Sequence, residues 1–285
     1  MDGKSWRLRR IVNPHDGKTV ILPLDHGLSM GPVAGLESPV RVFSALREAP
    51  PDAVVLHKGL IRFLPEALDP RLGLIVHLSG ATELNGRHTK RLVTGVDEAL
   101  ALGADGVSVH VNFGGPDESD MLVDLGTVAD RCAALRVPLL VMAYLRGGTL
   151  PELDRKGLAL AARACAELGA DIVKLPWPGS RDAMAEIVAG CPVGIVVAGG
   201  PAEQGNGRLG RRVAMAMDAG AAGIAAGRNV FQSSDPVGVL RSLAGLVHTD
   251  PGQAEAWNGV SNGRGVSPAR STGGPAGLPY TQAHP

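Results

Sequence analysis

A (β/α)8 barrel is the fold predicted for this 285-residue chain, on three observations: eight short apolar runs, helix-like stretches between them, and glycine at the junctions. The runs are continuously apolar rather than alternating, which means burial on both faces and hence a parallel sheet covered by crossover helices. Eight such units suit a barrel of typical ~250-residue size. A doubly wound open sheet is the alternative, but no Gly-x-Gly-x-x-Gly follows the first run to support it.

The elements follow in order. Run 20–24 opens the series and closes in Asp25-His26; run 53–56 closes in His57-Lys58, and run 74–78 carries His77 near its end. Stretch 96–102 has apolar residues at three- and four-residue spacing, so it reads as helix; it ends in Gly103-Ala104 ahead of run 106–111, which contains His110. Run 139–143 leads into Tyr144. Stretch 152–168 is rich in Ala, Leu, Glu and Arg, all compatible with helix, and ends in Gly169-Ala170 before run 171–173 and Lys174. Helical stretch 180–189 precedes run 193–198, which closes in Gly199-Gly200. Stretch 211–219 ends in Gly220-Ala221 before run 222–226, which closes in Gly227-Arg228. Glycine after a helix accepts the left-handed φ that stops it, so the three Gly-Ala junctions are αβ turns at the bottom of the barrel.

Composition narrows the ligand class. Lys plus Arg and Asp plus Glu each number 28, so no global basic field advertises nucleic acid or an anionic membrane, and a small metabolite is expected instead. Three widely spaced cysteines without a Cys-x-x-Cys fit a reducing compartment. The N-terminus is basic with no apolar segment behind it, and no run of about 18 apolar residues occurs, so a soluble cytoplasmic protein is expected. Residues 1–249 form the barrel domain. Residues 250–285, rich in Gly, Pro and Ser, read as a disordered tail.

In this architecture chemistry sits where strands end and βα loops begin. Lys174 closes an otherwise apolar run, where an ammonium either reaches water along its stem or is desolvated into a neutral nucleophile toward carbonyls. Gly199-Gly200 and Gly227-Arg228 close consecutive strands, seven and eight, at the usual phosphate cradle of such barrels; taken singly, each is equally a tight turn. Asp25 either caps its loop or moves protons beside the lysine, and Tyr144 either packs at the rim or donates a proton. His26, His57, His77 and His110 raise the idea of a metal site, but no carboxylate clearly completes the set, and hydrogen bonding to ligand hydroxyls is preferred. Neither metal nor cofactor is expected.

Together these motifs resemble the archaeal-type class I aldolases, the group containing fructose-bisphosphate aldolases and 2-amino-3,7-dideoxy-D-threo-hept-6-ulosonate synthases. The resemblance covers roughly residues 6–247. It rests on Pro23-Leu-Asp-His-Gly27, Gly31-Pro-Val-Ala-Gly-Leu36, His57-Lys-Gly59, Gly73-Leu-Ile-Val-His-Leu-Ser79, Val107-Ser-Val-His-Val-Asn112, Pro138-Leu-Leu-Val-Met-Ala-Tyr144 and Gly227-Arg-Asn-Val-Phe-Gln232, in family order. It implies a Schiff-base lysine at Lys174, a proton-donating Tyr144 and a proton-accepting Asp25. Ligand contacts would come from Asp25, His26, Gly27, Leu28, Ser29, Tyr144, Leu145, Arg146, Gly199, Gly200, Gly227 and Arg228. Within the group, His57-Lys-Gly59 and Leu74-Ile-Val-His-Leu-Ser79 look more like the heptulosonate synthases, which makes aspartate semialdehyde the implied acceptor.

The resemblance therefore implies a homo-oligomeric enzyme that joins dihydroxyacetone phosphate, or a fragment of a phosphorylated ketose, to an aldehyde, giving an amino C7 keto acid. Such products suit aromatic amino acid or aminohydroxybenzoate-type biosynthesis. The alternatives are a fructose-bisphosphate aldolase using the same lysine, a metal-dependent barrel enzyme, and a non-catalytic phosphometabolite-binding protein. Two departures stand out. The family commonly reads Lys-Thr-Asn-Tyr-Thr-Gly where this chain has Lys174-Leu-Pro-Trp-Pro-Gly179, and Met-Tyr-Pro-Arg-Gly where it has Ala143-Tyr-Leu-Arg-Gly147. The stiff, bulky segment 175–178 is where substrate choice is expected to differ.

Overall fold

The computed structural model describes residues 2–64, 69–85, 88–202 and 207–248. The expected tail, 250–285, lies outside the described residues. Eight parallel strands close into a barrel: β1 (Thr19–Pro23), β2 (Ala53–Leu56), β3 (Gly73–His77), β4 (Gly106–Phe113), β5 (Leu139–Leu145), β6 (Ile172–Leu175), β7 (Gly194–Ala198) and β8 (Gly223–Ala225). They neighbour one another in chain order, and Thr19 pairing with Gly223 closes the ring. Among the described residues no helix is long and apolar enough to cross a membrane.

Seven of the strands feed two apolar layers because their side chains alternate in direction, while the inward row of β4 is polar. One set, including Leu22, Val54, Val76, Val107, Val141, Val173, Val197 and Ile224, packs beneath the surrounding helices. The other, including Ile21, Val55, Ile75, Leu140, Met142, Ile172, Val196 and Ala225, fills the barrel interior. Gly103, Gly169 and Gly220 have φ of 89°, 100° and 90°, so the three expected junctions do stop their helices in the left-handed region.

The basic N-terminus acquires a role that composition did not reveal. Residues Gly3–Ile11 form a helix, capped by the Asp2 carboxylate on the Ser5 N–H, and Ile11 joins the interior core at the barrel floor. Gly73 permits the approach, since a Cβ there would lie 2.2 Å from the Arg10 carbonyl oxygen. Three aspartates preceding strands hold this end together. Asp52 accepts from Val20 N–H at 2.6 Å, Asp105 from Leu74 N–H at 2.9 Å and Asp171 from Leu139 N–H at 2.8 Å, each satisfying a donor in the first two residues of the strand before it. Each also meets a cation or imidazole: Asp171 pairs with Lys4 at 2.9 Å, Asp105 with Arg10 at 2.6 Å and Asp52 with His248 at 3.0 Å.

His248, just past the last helix of the described residues, Pro236–Val247, also meets Asp16 at 2.7 Å. The hydrogen bond to Asp52, opposed by burial and reinforced by Asp16, lifts its imidazole to about 9. A raised folded value contributes stability that is fully present below the unfolded value near 6.5 and is lost as pH rises through about 9. Thermal melts are therefore expected to show Tm falling between pH 6.5 and 9. His248→Ala should lower Tm at pH 6.5, by the equivalent of ~1–3 kcal/mol, and flatten that dependence. An unchanged slope in the variant would remove His248 as its source.

Candidate active site

Within the interior row, apolar residues give way to polar ones toward the C-terminal ends of the strands. Continuing the alternation from Ile21, Val55, Ile75, Met142 and Ile172 leads to Asp25, His57, His77, Tyr144 and Lys174. On β4 the same phase carries Ser108, His110 and Asn112. These side chains converge at the mouth.

Lys174 lies inside β6 rather than beyond a run ending at 173: its Cα pairs with Met142 and Val196, and only 6% of the residue is exposed. Its Nζ lies 4.0 Å from the Met142 sulfur. The snorkelling alternative is thus not adopted. Tyr144 likewise falls within β5, paired with Asn112, because ladder hydrogen bonds run through the backbone and a polar inward side chain does not end them. Its ring stacks on His110 with centroids 5.0 Å apart, and the Arg146 guanidinium covers it at 4.6 Å.

Asp25 follows β1 and sits among imidazoles, with His26 Nδ1 at 3.7 Å and His77 Nε2 at 3.9 Å. Burial alone would raise its carboxyl. His77, His26, Lys174 and His57 outweigh that in the acid range, so Asp25 is held below the usual carboxylate range. Burial in turn lowers the histidines: His77 goes to about 4, His110 well below its ordinary value, and His26 and His57 also fall. At neutral pH the centre holds an ionised aspartate among neutral imidazoles. His77 Nδ1 is fixed by Ser108 Oγ at 2.8 Å and His110 Nε2 by Asn112 Oδ1 at 2.8 Å, while Asn112 donates to the His88 carbonyl. By contrast, Asp25 Oδ1, His26 Nδ1 and Arg228 Nε are buried with no hydrogen-bond partner among the described residues, which suits them to a ligand.

Two lobes open around this centre. One, of about 410 Å³, is lined by His26, Tyr144, Arg146, Lys174, Pro176, Trp177, Gly199, Gly200, Arg212, Gly227 and Arg228. Here the loops after β7 and β8 are clipped together, since the Gly199 carbonyl accepts from Arg212 at 2.8 Å and from Asn229 at 2.9 Å. The other lobe, of about 160 Å³, is lined by Asp25, Ser29, His57, His77, Glu83, Lys90, Tyr144, Arg146, Lys174 and Arg228, among others. His26, Tyr144, Arg146, Lys174 and Arg228 therefore face both. Among the described residues no three His, Cys, Asp or Glu side chains form a group suited to a metal ion.

Most of the expected contact residues meet here. Gly27 and Leu28 line an adjoining apolar cavity with Phe43, Leu60 and Phe63, which shares Asp25 and His57 with the smaller lobe. Leu145 lines the larger lobe, but its side chain points outward, where a Cβ on Gly157 would lie 2.7 Å from its Cδ1. Sequence reasoning left out Lys90, Glu83, Ser108 and Asn112. The last two were visible as the inward phase of β4; the first two come from an excursion after β3 that carries no periodic signal.

A family model described as DeoC/LacD family aldolase matches residues 19–233. A 2-amino-4,5-dihydroxy-6-oxo-7-(phosphonooxy)heptanoate synthase of Streptomyces griseus is 39% identical over 264 residues, covering 91% of this chain and 96% of its own. A 2-amino-3,7-dideoxy-D-threo-hept-6-ulosonate synthase of Archaeoglobus fulgidus is 42% identical over 249 residues, covering 87% and 92%. Among solved structures, a Schiff-base-forming fructose-1,6-bisphosphate aldolase superposes with a TM-score of 0.79 at 31% identity, covering 87% of this chain and all of the other. The chain belongs to the DeoC/LacD aldolase family.

Proposed function

We propose that the protein is a class I aldolase in which Lys174 forms a Schiff base with dihydroxyacetone phosphate and adds the resulting enamine to aspartate semialdehyde. The observation that carries this reading is Lys174 itself, a buried amine in the interior row of β6 at the junction of two lobes. The unprotonated amine attacks the ketone carbon, loss of water gives an iminium, and removal of a proton from the hydroxymethyl carbon gives an enamine. That carbon then bonds to the aldehyde carbon, the new alkoxide takes up a proton, and water hydrolyses the iminium to restore the amine. Asp25 and Tyr144 are assigned the proton transfers, and the β7 and β8 loops with Arg228 the phosphate. His77, fixed by Ser108, positions Asp25.

The substrates follow by disconnecting the relatives' products. Cleaving 2-amino-4,5-dihydroxy-6-oxo-7-(phosphonooxy)heptanoate between carbons 4 and 5 leaves aspartate semialdehyde and dihydroxyacetone phosphate. The same cut in 2-amino-3,7-dideoxy-D-threo-hept-6-ulosonate leaves the same aldehyde and a three-carbon fragment without phosphate. Both relatives support the acceptor, while the loop pair at β7 and β8 supports a phosphorylated donor. With dihydroxyacetone phosphate, turnover is expected with aspartate semialdehyde and little with glyceraldehyde 3-phosphate. Turnover confined to the sugar phosphate would make the protein a fructose-bisphosphate aldolase instead.

A further inference from the structure

The smaller lobe holds two charged groups, Lys90 and Glu83, that the chemistry at Lys174 does not require. Lys90 Nζ donates to Ser29 Oγ at 3.3 Å, and both line this lobe with Glu83. Lys90 arrives there because the chain folds back after β3: Ser79 pairs with Leu92 and Gly80 with Arg91 in a two-stranded ribbon that carries residue 90 over the mouth. It lies on the histidine side of Lys174, away from the Gly199-Gly200 and Gly227 loops, which line the other lobe. Burial, reinforced by the neighbouring Arg146, lowers its ammonium, whereas Asp25 and Glu83 act in the opposite sense, so an added anion in the lobe would be welcome beside it.

We infer that this lobe is an amino-acid subsite, in which Lys90 with Ser29 takes the carboxylate of the acceptor aldehyde and Glu83, at the exposed rim, takes its ammonium. The assignment rests on the proposed aldol addition at Lys174 and names what selects its acceptor. Lys90 and Glu83 add a cation and an anion to walls that also carry Arg146, Lys174, Arg228 and Asp25, and a substrate with a carboxylate and an ammonium can meet both.

The test is steady-state kinetics with dihydroxyacetone phosphate and three acceptors: aspartate semialdehyde, succinate semialdehyde, which keeps the carboxylate but lacks the amine, and propanal, which has neither. Lys90→Met is expected to lower kcat/KM by about 10- to 100-fold for both semialdehydes, the range of a lost charge-assisted hydrogen bond, with no comparable loss for propanal. KM for dihydroxyacetone phosphate and its borohydride adduct should be retained, and Lys90→Arg should recover most of the acceptor preference. An equal loss for all three acceptors, loss in both variants alike, or no loss at all would overturn the subsite. If wild-type enzyme forms the donor adduct but ignores aspartate semialdehyde, the acceptor assignment fails with it; if no adduct forms, the Schiff-base reading fails first.

Discussion

Lys174→Met is expected to abolish aldol turnover, by on the order of 10⁴-fold or more, while the barrel remains folded and its Tm does not fall. The catalytic loss follows from removing the group that makes the covalent intermediate; neighbouring side chains cannot substitute for a nucleophile. The stability expectation follows from burial. Lys174 is 6% exposed, and among the described residues its amine has only the Met142 sulfur at 4.0 Å as a side-chain hydrogen-bond partner. Replacing a poorly satisfied buried polar group by an apolar one of similar length removes a desolvation cost, so Tm should hold or rise. Activity assays beside thermal melts check both halves. Retained turnover in a folded variant would move the nucleophile elsewhere.

Asp25→Asn should lower kcat by about 10²- to 10⁴-fold, the range of a lost general acid–base group. The amide keeps the shape of the side chain but can neither accept a proton nor balance the developing iminium. Because His77, His26, Lys174 and His57 hold its carboxyl below the ordinary range against the effect of burial, Asp25 stays ionised down to the acid limit of most assays. No acid limb from Asp25 is therefore expected in a wild-type kcat profile between pH 5 and 7. Its loss should also lower the imidazoles of His77 and His57 further, since Asp25 is what offsets their burial. Titration of these histidines by NMR in the variant checks that sign; a rise instead would contradict this account of the cluster.

The barrel was legible because its strands are buried on both faces, so most of the eight runs appear as nearly unbroken apolar sequence, with 106–111, where Ser108 and His110 alternate with valines, as the exception. The limits were less so. Lys174 and Tyr144 marked apparent strand ends by polarity, yet β6 and β5 continue through both, since neighbouring strands supply backbone partners regardless of side chain. A period-two reading through those polar residues places Ser108, His110 and Asn112 on the interior face with the lysine. The floor was hidden for a different reason. Lys4 and Arg10 look like a solvated basic segment until Asp171 and Asp105, more than ninety residues away, are brought beneath them. Lys90 was hidden likewise, because a two-residue ribbon carries no apolar pattern. Segment 175–178 was singled out for substrate choice, and its Pro176 and Trp177 do line the larger lobe, on the side of the phosphate-type loops rather than of Lys90.

A covalent bond between Lys174 and the donor is what borohydride trapping reads. Incubating the protein with dihydroxyacetone phosphate and sodium borohydride, then mapping its peptides by mass spectrometry, should place a reduced adduct on Lys174 alone and inactivate the enzyme in proportion. An adduct on Lys90 or any other lysine, or full activity after reduction with no adduct, would contradict the account.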